Sequence, residues 1–106
     1  MSERDEVKRD GAKAQKNSGR GKHDKGDAVL EPFLIDYKEY EKSFAVNTTV
    51  WGKICTDAIR AGGYEPTLKI ILGKDNNKVR VYVISETMFN EMREAWLEKY
   101  GEASER

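Results

Sequence analysis

The sequence predicts an α/β fold, a mixed central β-sheet flanked by helices, and three observations carry that expectation. Short runs rich in β-branched and aliphatic residues, Phe33-Leu34-Ile35, Leu68 to Leu72 and Val79 to Ile84, read as strands. A helical apolar stripe, Val50, Trp51, Ile54, Cys55, Ala58 and Ile59, lies between the first of these runs and the other two. A long helix between strands is the crossover that a parallel strand pair requires.

The elements follow in order. Ser2 with Asp5 three residues later resembles a capping box, and Val7, Gly11 and Ala14 recur at helical spacing, so residues 3–15 are expected to be a short helix. Its apolar face is thin, so it needs something to pack on, such as another subunit. Asn17 to Lys22 and then Lys25-Gly26 are turn-rich and basic, the pattern of a flexible loop. Asp27 to Leu30 and Phe33 to Lys38 read as two strands turned at Glu31-Pro32. Glu39 to Lys42 is mostly charged, and Ser43-Phe44-Ala45-Val46 is expected as a third strand or an extended edge.

Asn47 or Thr48 caps the crossover helix, and Gly62-Gly63 ends it. Gly73 to Lys78 is a turn between two strands. Ser85 then opens a last helix with Met88, Phe89, Met92, Trp96 and Leu97 on one stripe. The expected order is α-β-β-β-α-β-β-α. The organisation is one domain: a basic helix and glycine loop over 1–25, a core over 26–100, and a fraying tail over 101–106.

Composition removes several function classes. Charged residues make up 36% and hydrophobic residues 38% of the chain, and no apolar run approaches the roughly 20 residues of a membrane span. Met1-Ser2-Glu3-Arg4-Asp5 lacks the apolar stretch of a secretory signal, so a cytoplasmic location is expected. The lone Cys55 has no partner for a disulfide or a zinc site and reads as a small core residue.

Formal net charge is zero, but it is unevenly distributed. Residues 1–25 hold eight bases and five acids, or +3, which leaves −3 for the rest. Between Lys8 and Lys22 six bases face one acid, the density found where phosphates are gripped. Arg20 and Lys22, with Lys13 and Lys16, are the candidate phosphate contacts. A solvated basic tail has the same composition.

Phosphodiester hydrolysis with a hard cation needs carboxylate oxygens, a water and a nearby ammonium. Asp36 and Lys38 close an apolar strand, and period two puts both on one face. If the chain turns at Glu31-Pro32, Asp27 returns across the hairpin to lie near Asp36. Acid-x-Lys triplets arise freely in a charged chain, and Glu6-Val7-Lys8 is another. An ordinary strand-end ion pair is the plain alternative.

Gly26-Asp27 and Phe33-Leu34-Ile35-Asp36-Tyr37-Lys38, preceded by Ser18-Gly19-Arg20 and followed by Ser43-Phe44 and the Trp51 helix, resemble the PD-(D/E)XK nucleases. Within that superfamily they are most similar to the Holliday-junction resolvases, particularly small phage-encoded forms. The resemblance runs from about Glu6 to Ile84. It implies a restriction-endonuclease-like sheet, dependence on Mg²⁺ with Mn²⁺ as substitute, a homodimer, and paired nicks in a four-way DNA junction. For a phage-encoded form the setting is the host cytoplasm.

Carried onto this sequence, the resemblance makes Asp27 and Asp36 the metal-binding acids, and Lys38 the residue that positions the attacking water. Glu6 is the expected third, helical acid and metal ligand, with Glu3 as an alternative. Ser18 matches the serine of the family's flexible loop. Asp36 stands where the family often has Glu.

Weaker candidates have plainer explanations. His23 lies in a basic loop, Trp51 and Trp96 suit core or dimer packing, Tyr37 points to the other side of its strand, and Glu31 suits a turn. The expected function is a Mg²⁺-dependent crossover-junction endodeoxyribonuclease. The competing readings are another DNA nuclease of the same superfamily and a non-catalytic DNA-binding module.

Overall fold

The computed structural model describes residues 3–15 and 27–101. In chain order the elements are α1 (Glu3–Asp10), β1 (Lys13–Ala14), β2 (Asp27–Leu30), β3 (Phe33–Tyr40), α2 (Thr48–Arg60), β4 (Glu65–Leu72), β5 (Val79–Val83) and α3 (Glu86–Tyr100). The fold is α/β, a single mixed sheet with strand order β1-β2-β3-β4-β5. All neighbouring pairs are antiparallel except β3 and β4, which run parallel. Helix α2 makes the crossover between them.

Strand periodicity sorts the side chains onto two faces. Leu34, Leu68 and Ile70 point one way and pack with Ile54 and Ala58 of α2. Ala28, Ile35, Tyr37 and Ile71 point the other way and pack with Val7 and Ala12 of the α1 segment. Strands β3 and β4 are therefore covered on both faces, which explains their nearly continuous apolar runs.

Helix α1 is shorter than the 3–15 helix expected from sequence. Gly11 takes φ +74°, a left-handed conformation that ends the helix, and its N–H bonds to the Lys8 carbonyl at 3.1 Å. The chain then forms β1, whose Lys13 and Ala14 pair with Val29 and Ala28. Ser43 to Val46 forms no strand, because β3 already has β2 on one side and β4 on the other. The order α-β-β-β-α-β-β-α holds, but its extra strand precedes the hairpin rather than following it.

Asn47 caps α2: its Oδ1 accepts a hydrogen bond from the Val50 N–H at 2.9 Å. Asn47→Ala is expected to cost about 1 kcal/mol, read as a lower urea midpoint at unchanged m-value. The β4–β5 turn depends on Gly73 at φ +111°, where a Cβ would stand 2.4 Å from the Asn77 carbonyl oxygen. Ser85 caps α3 through the Met88 N–H at 3.0 Å, yet no residue of that helix is buried. No helix among the described residues is long and apolar enough to cross a membrane.

Candidate active site

The β2–β3 hairpin turns at Glu31-Pro32, and its register sets Asp27 directly opposite Asp36. Residues opposite each other in an antiparallel pair share a face, so the two carboxylates converge. Lys38, two residues beyond Asp36, stands on that face too, with its ammonium 3.4 Å from the Asp36 carboxylate. The Lys38 ammonium also lies over the Phe44 ring, with Nζ 5.8 Å from the ring centre. Asp36 is buried, whereas Lys38 and Asp27 are half-buried. The group thus opens to solvent on one side.

Two partly desolvated carboxylates at this spacing disfavour each other's charge. Burial, with the charges of Asp36 and Asp57 added, pushes Asp27 up to about 7. Burial also raises Asp36, against the opposing pull of Lys38. Carboxylates held together against that repulsion make the pair a place where a cation is electrostatically favoured.

Helix α2 adds two residues to the group that sequence reasoning missed. With Ile54 and Ala58 turned into the core, Lys53 and Asp57 sit beside them, 2.9 Å apart. Both act on the carboxylate pair: Asp57 raises Asp27 and Asp36, and Lys53 lowers them. In the sequence they form an i, i+4 lysine–aspartate pair, the commonest decoration of a solvated helix. Only the crossover packing gives the spacing meaning, by laying this edge of α2 over the hairpin.

Glu6, expected as the helical acid and third metal ligand, is not part of this group. It accepts two hydrogen bonds from Arg80, at 3.1 and 2.9 Å, and pairs with Lys69 at 3.1 Å. Lys69 stands opposite Tyr37 in the β3–β4 register, on the α1 face of the sheet. Asp36 and Lys38 are on the α2 face, so the sheet itself separates Glu6 from them. The alternative, Glu3, accepts from the Glu39 N–H at 3.1 Å, and Glu31 lies exposed in the hairpin turn, at the far end from Asp27 and Asp36.

Arg80, with help from Lys69, holds the Glu6 carboxyl at about 2, below its ordinary 4.5. A depressed folded-state pKa contributes stability that is complete above the unfolded value and is lost as pH falls through the folded one. Glu6 is therefore expected to supply up to about 3 kcal/mol that disappears between roughly pH 4.5 and 2. In Glu6→Gln, melting temperature plotted against pH loses this acid-side slope.

Of the proposed phosphate contacts, Lys16, Ser18, Arg20 and Lys22 lie outside the described residues, as does His23. Lys13 is described: it is exposed on β1 and opposite Val29. Val29 packs toward α2, so Lys13 is on the same face as Asp27 and Asp36.

A divalent cation can be tested against this donor set. Magnesium binds through one or two carboxylates and completes its octahedron with water and substrate phosphate oxygens. Asp27, half-buried, and Asp36, buried beside it, are donors of that kind and number, with unfavourable mutual charge. Among the described residues no group of three or more His, Cys, Asp or Glu is arranged to hold a metal ion alone. The pair fits a cation shared with a phosphate, not an all-protein cage.

Comparison with known proteins assigns no family. No family model matches the chain, and neither a curated protein nor a solved structure shows significant similarity to it.

Proposed function

We propose that this protein is a metal-dependent, structure-selective endodeoxyribonuclease of the PD-(D/E)XK kind that resolves four-way DNA junctions. The observation that supports it most is the Asp27–Asp36 register with Lys38 on the same face. Two carboxylates and one ammonium meet at the open end of a hairpin, and these are the groups that phosphodiester hydrolysis requires. The junction as substrate rests on the resemblance of the sequence to the resolvases.

In this reading Asp27 and Asp36 hold Mg²⁺, with Mn²⁺ as a substitute. The bound cation supplies positive charge that makes water more acidic and offsets charge building on the phosphate. Lys38 orients the attacking water by hydrogen bonding and stabilises the developing negative charge. Lys53, an exposed side chain bonded to Asp57 and acting on the pair's charge, supplies a second ammonium toward an incoming phosphate. Lys13, with the sequence neighbours Lys16, Ser18, Arg20 and Lys22, grips the DNA backbone, which fixes position without reading bases. Paired nicks on opposing strands need two sites, hence two copies of a chain that carries one.

The test is a labelled four-way junction incubated with and without Mg²⁺, in wild type and in Asp27→Asn. Symmetric paired nicks that require Mg²⁺ and Asp27, with linear duplex left intact, are the expected result. Equal cleavage of linear duplex would assign a general nuclease of the same chemistry. Binding without cleavage by the wild type would overturn the enzymatic reading in favour of a DNA-binding module.

A further inference from the structure

Strand β3 carries a third side chain past Asp36 and Lys38 on the same face. Side chains alternate along a strand, so positions 36, 38 and 40 follow one another on that face at intervals of about 6.6 Å. Leu72, the register partner of Tyr40, packs with the core on the α2 side, in keeping with this placement. Beyond the strand, Phe44 lies against the same core, half-buried between exposed Ser43 and Ala45. Its ring meets that of Tyr40 with centres 5.0 Å apart and planes inclined by 32°, and the Lys38 ammonium is 5.8 Å from its centre. Carboxylate, ammonium and aromatic pair thus stand in series, from buried Asp36 to exposed Tyr40.

The two rings are held differently. Phe44 packs on the core, whereas Tyr40 is 45% exposed at the last position of β3. A ring backed by a second, anchored ring needs little further ordering when a flat ligand meets it. The acids on either side of Tyr40 have cations of their own: Glu39 pairs with Lys78, and Glu41 with Lys74 at 3.1 Å. Neither faces an incoming nucleic acid uncompensated. A nucleotide offers its groups in the matching series, a phosphate for the ammonium and then a flat base for the ring.

We propose that Tyr40, backed by Phe44, is a stacking site for an unpaired nucleobase next to the phosphate that Lys38 meets. The stack rests on the nuclease reading for that phosphate and deepens it: the strand at the cut is unstacked DNA, as at a branch point or in a single strand. A base inside a duplex has both faces covered by its neighbours and offers none to the ring. Every base has a π-face, so the contact selects unstacked strands without reading sequence. The ring, not the hydroxyl, makes the contact, so phenylalanine serves in its place. A side chain that merely covered the strand end would be replaced equally well by leucine, and Tyr40→Leu therefore separates the two roles.

The test is binding by the full chain, without Mg²⁺, of a thymidine dodecamer and of an abasic strand with the same phosphates, in wild type, Tyr40→Phe, Tyr40→Leu and Trp96→Leu. Wild type, Tyr40→Phe and Trp96→Leu are expected to bind the thymidine strand about tenfold more tightly than the abasic one, the size of one base stack. Tyr40→Leu is expected to bind both strands at the abasic level, with unchanged far-UV circular dichroism, since the side chain is half exposed at a strand end. Nuclear Overhauser contacts between thymine and the Tyr40 ring are expected in the wild type, a readout that needs no variant. With Mg²⁺ present, Tyr40→Leu should cut a four-way junction about tenfold more slowly at subsaturating DNA, and Tyr40→Phe at the wild-type rate. Equal binding of the two strands by the wild type overturns the proposal, as do thymine contacts to another ring in place of Tyr40. So does a preference that survives Tyr40→Leu or is lost in Trp96→Leu, which would move the stacking to α3. A preference lost with Tyr40, in a wild type that cuts no junction, keeps the stacking site and removes the nuclease. Equal binding by a wild type that cuts with Mg²⁺ does the reverse.

Discussion

Asp36→Asn is expected to lower Mg²⁺-dependent nicking of a four-way junction by about a thousandfold while leaving the protein folded. The size follows from the chemistry: a cation held by two carboxylates supplies several kcal/mol of charge stabilisation in the transition state, and each 1.36 kcal/mol is tenfold in rate. The stability expectation runs the opposite way. Asp36 is buried opposite Asp27; burial raises both carboxyls, the charge of Asp36 raises Asp27 further, and Lys38 opposes the rise of Asp36. A neutral amide of the same shape removes that repulsion, so the variant should melt no lower than the wild type in the absence of metal. Added Mg²⁺ should then raise the melting temperature of the wild type and not of Asp36→Asn, since a ligand stabilises only the state that binds it. Single-turnover cleavage and a melting series at 0 to 10 mM Mg²⁺ measure both. Loss of cleavage with loss of structure would say only that Asp36 is needed to fold. Full cleavage by a well-folded variant would remove Asp36 from the chemistry.

How much of this site the sequence carries depends on which step links its residues. Asp36 and Lys38 are joined by strand alternation, a local rule, and the structure places them on one face. Asp27 is joined to them by a hairpin whose turn residues are adjacent in sequence, and the register pairs it with Asp36. Lys53 and Asp57 are joined through the packing of a crossover helix, which no local pattern encodes. Glu6 shows the converse. Its helical position and charge suit a metal ligand, but which sheet face a terminal helix covers depends on partners far along the chain, here Lys69 and Arg80. The same distinction holds for the fold. The α2 cap and the β4–β5 turn were legible from short motifs, whereas β1 exists because a two-residue segment found the free edge of β2.

The two faces of the sheet therefore do different work with similar residues. On the α2 face carboxylates stand near each other with Lys38 and Lys53 only partly compensating. On the α1 face every carboxylate in the cluster has a cation: Glu6 has Arg80 and Lys69, and Asp10 has Lys69. One arrangement leaves charge to be satisfied by something else, and the other closes on itself. That contrast supports the proposed site on the first face and a stabilising role on the second.

Lys69→Ala is the sharpest test of the second assignment, with an expected loss of about 3–5 kcal/mol, the range for removing one partner of a buried ion pair. Lys69 is 1% exposed on the central strand β4, with its ammonium 2.9 Å from both oxygens of Asp10. The same Asp10 accepts a hydrogen bond from the Tyr37 hydroxyl at 3.0 Å, and Tyr37 and Tyr82 flank the lysine with ring centres 5.8 and 5.5 Å away. One ammonium thus ties α1 to the sheet. Without it Asp10 keeps the Tyr37 hydroxyl and a 3.7 Å approach from the half-exposed Arg9, while Glu6 retains Arg80. Asp10 bears most of the uncompensated charge. Urea titration should show the midpoint falling, and hydrogen exchange should show α1 and β1 opening before the rest of the sheet. The double variant Lys69→Met with Asp10→Asn should recover much of the loss, because it removes the stranded charge as well as its partner. Junction cleavage under conditions where Lys69→Ala is still folded should match the wild type, since the sheet stands between this cluster and Asp36.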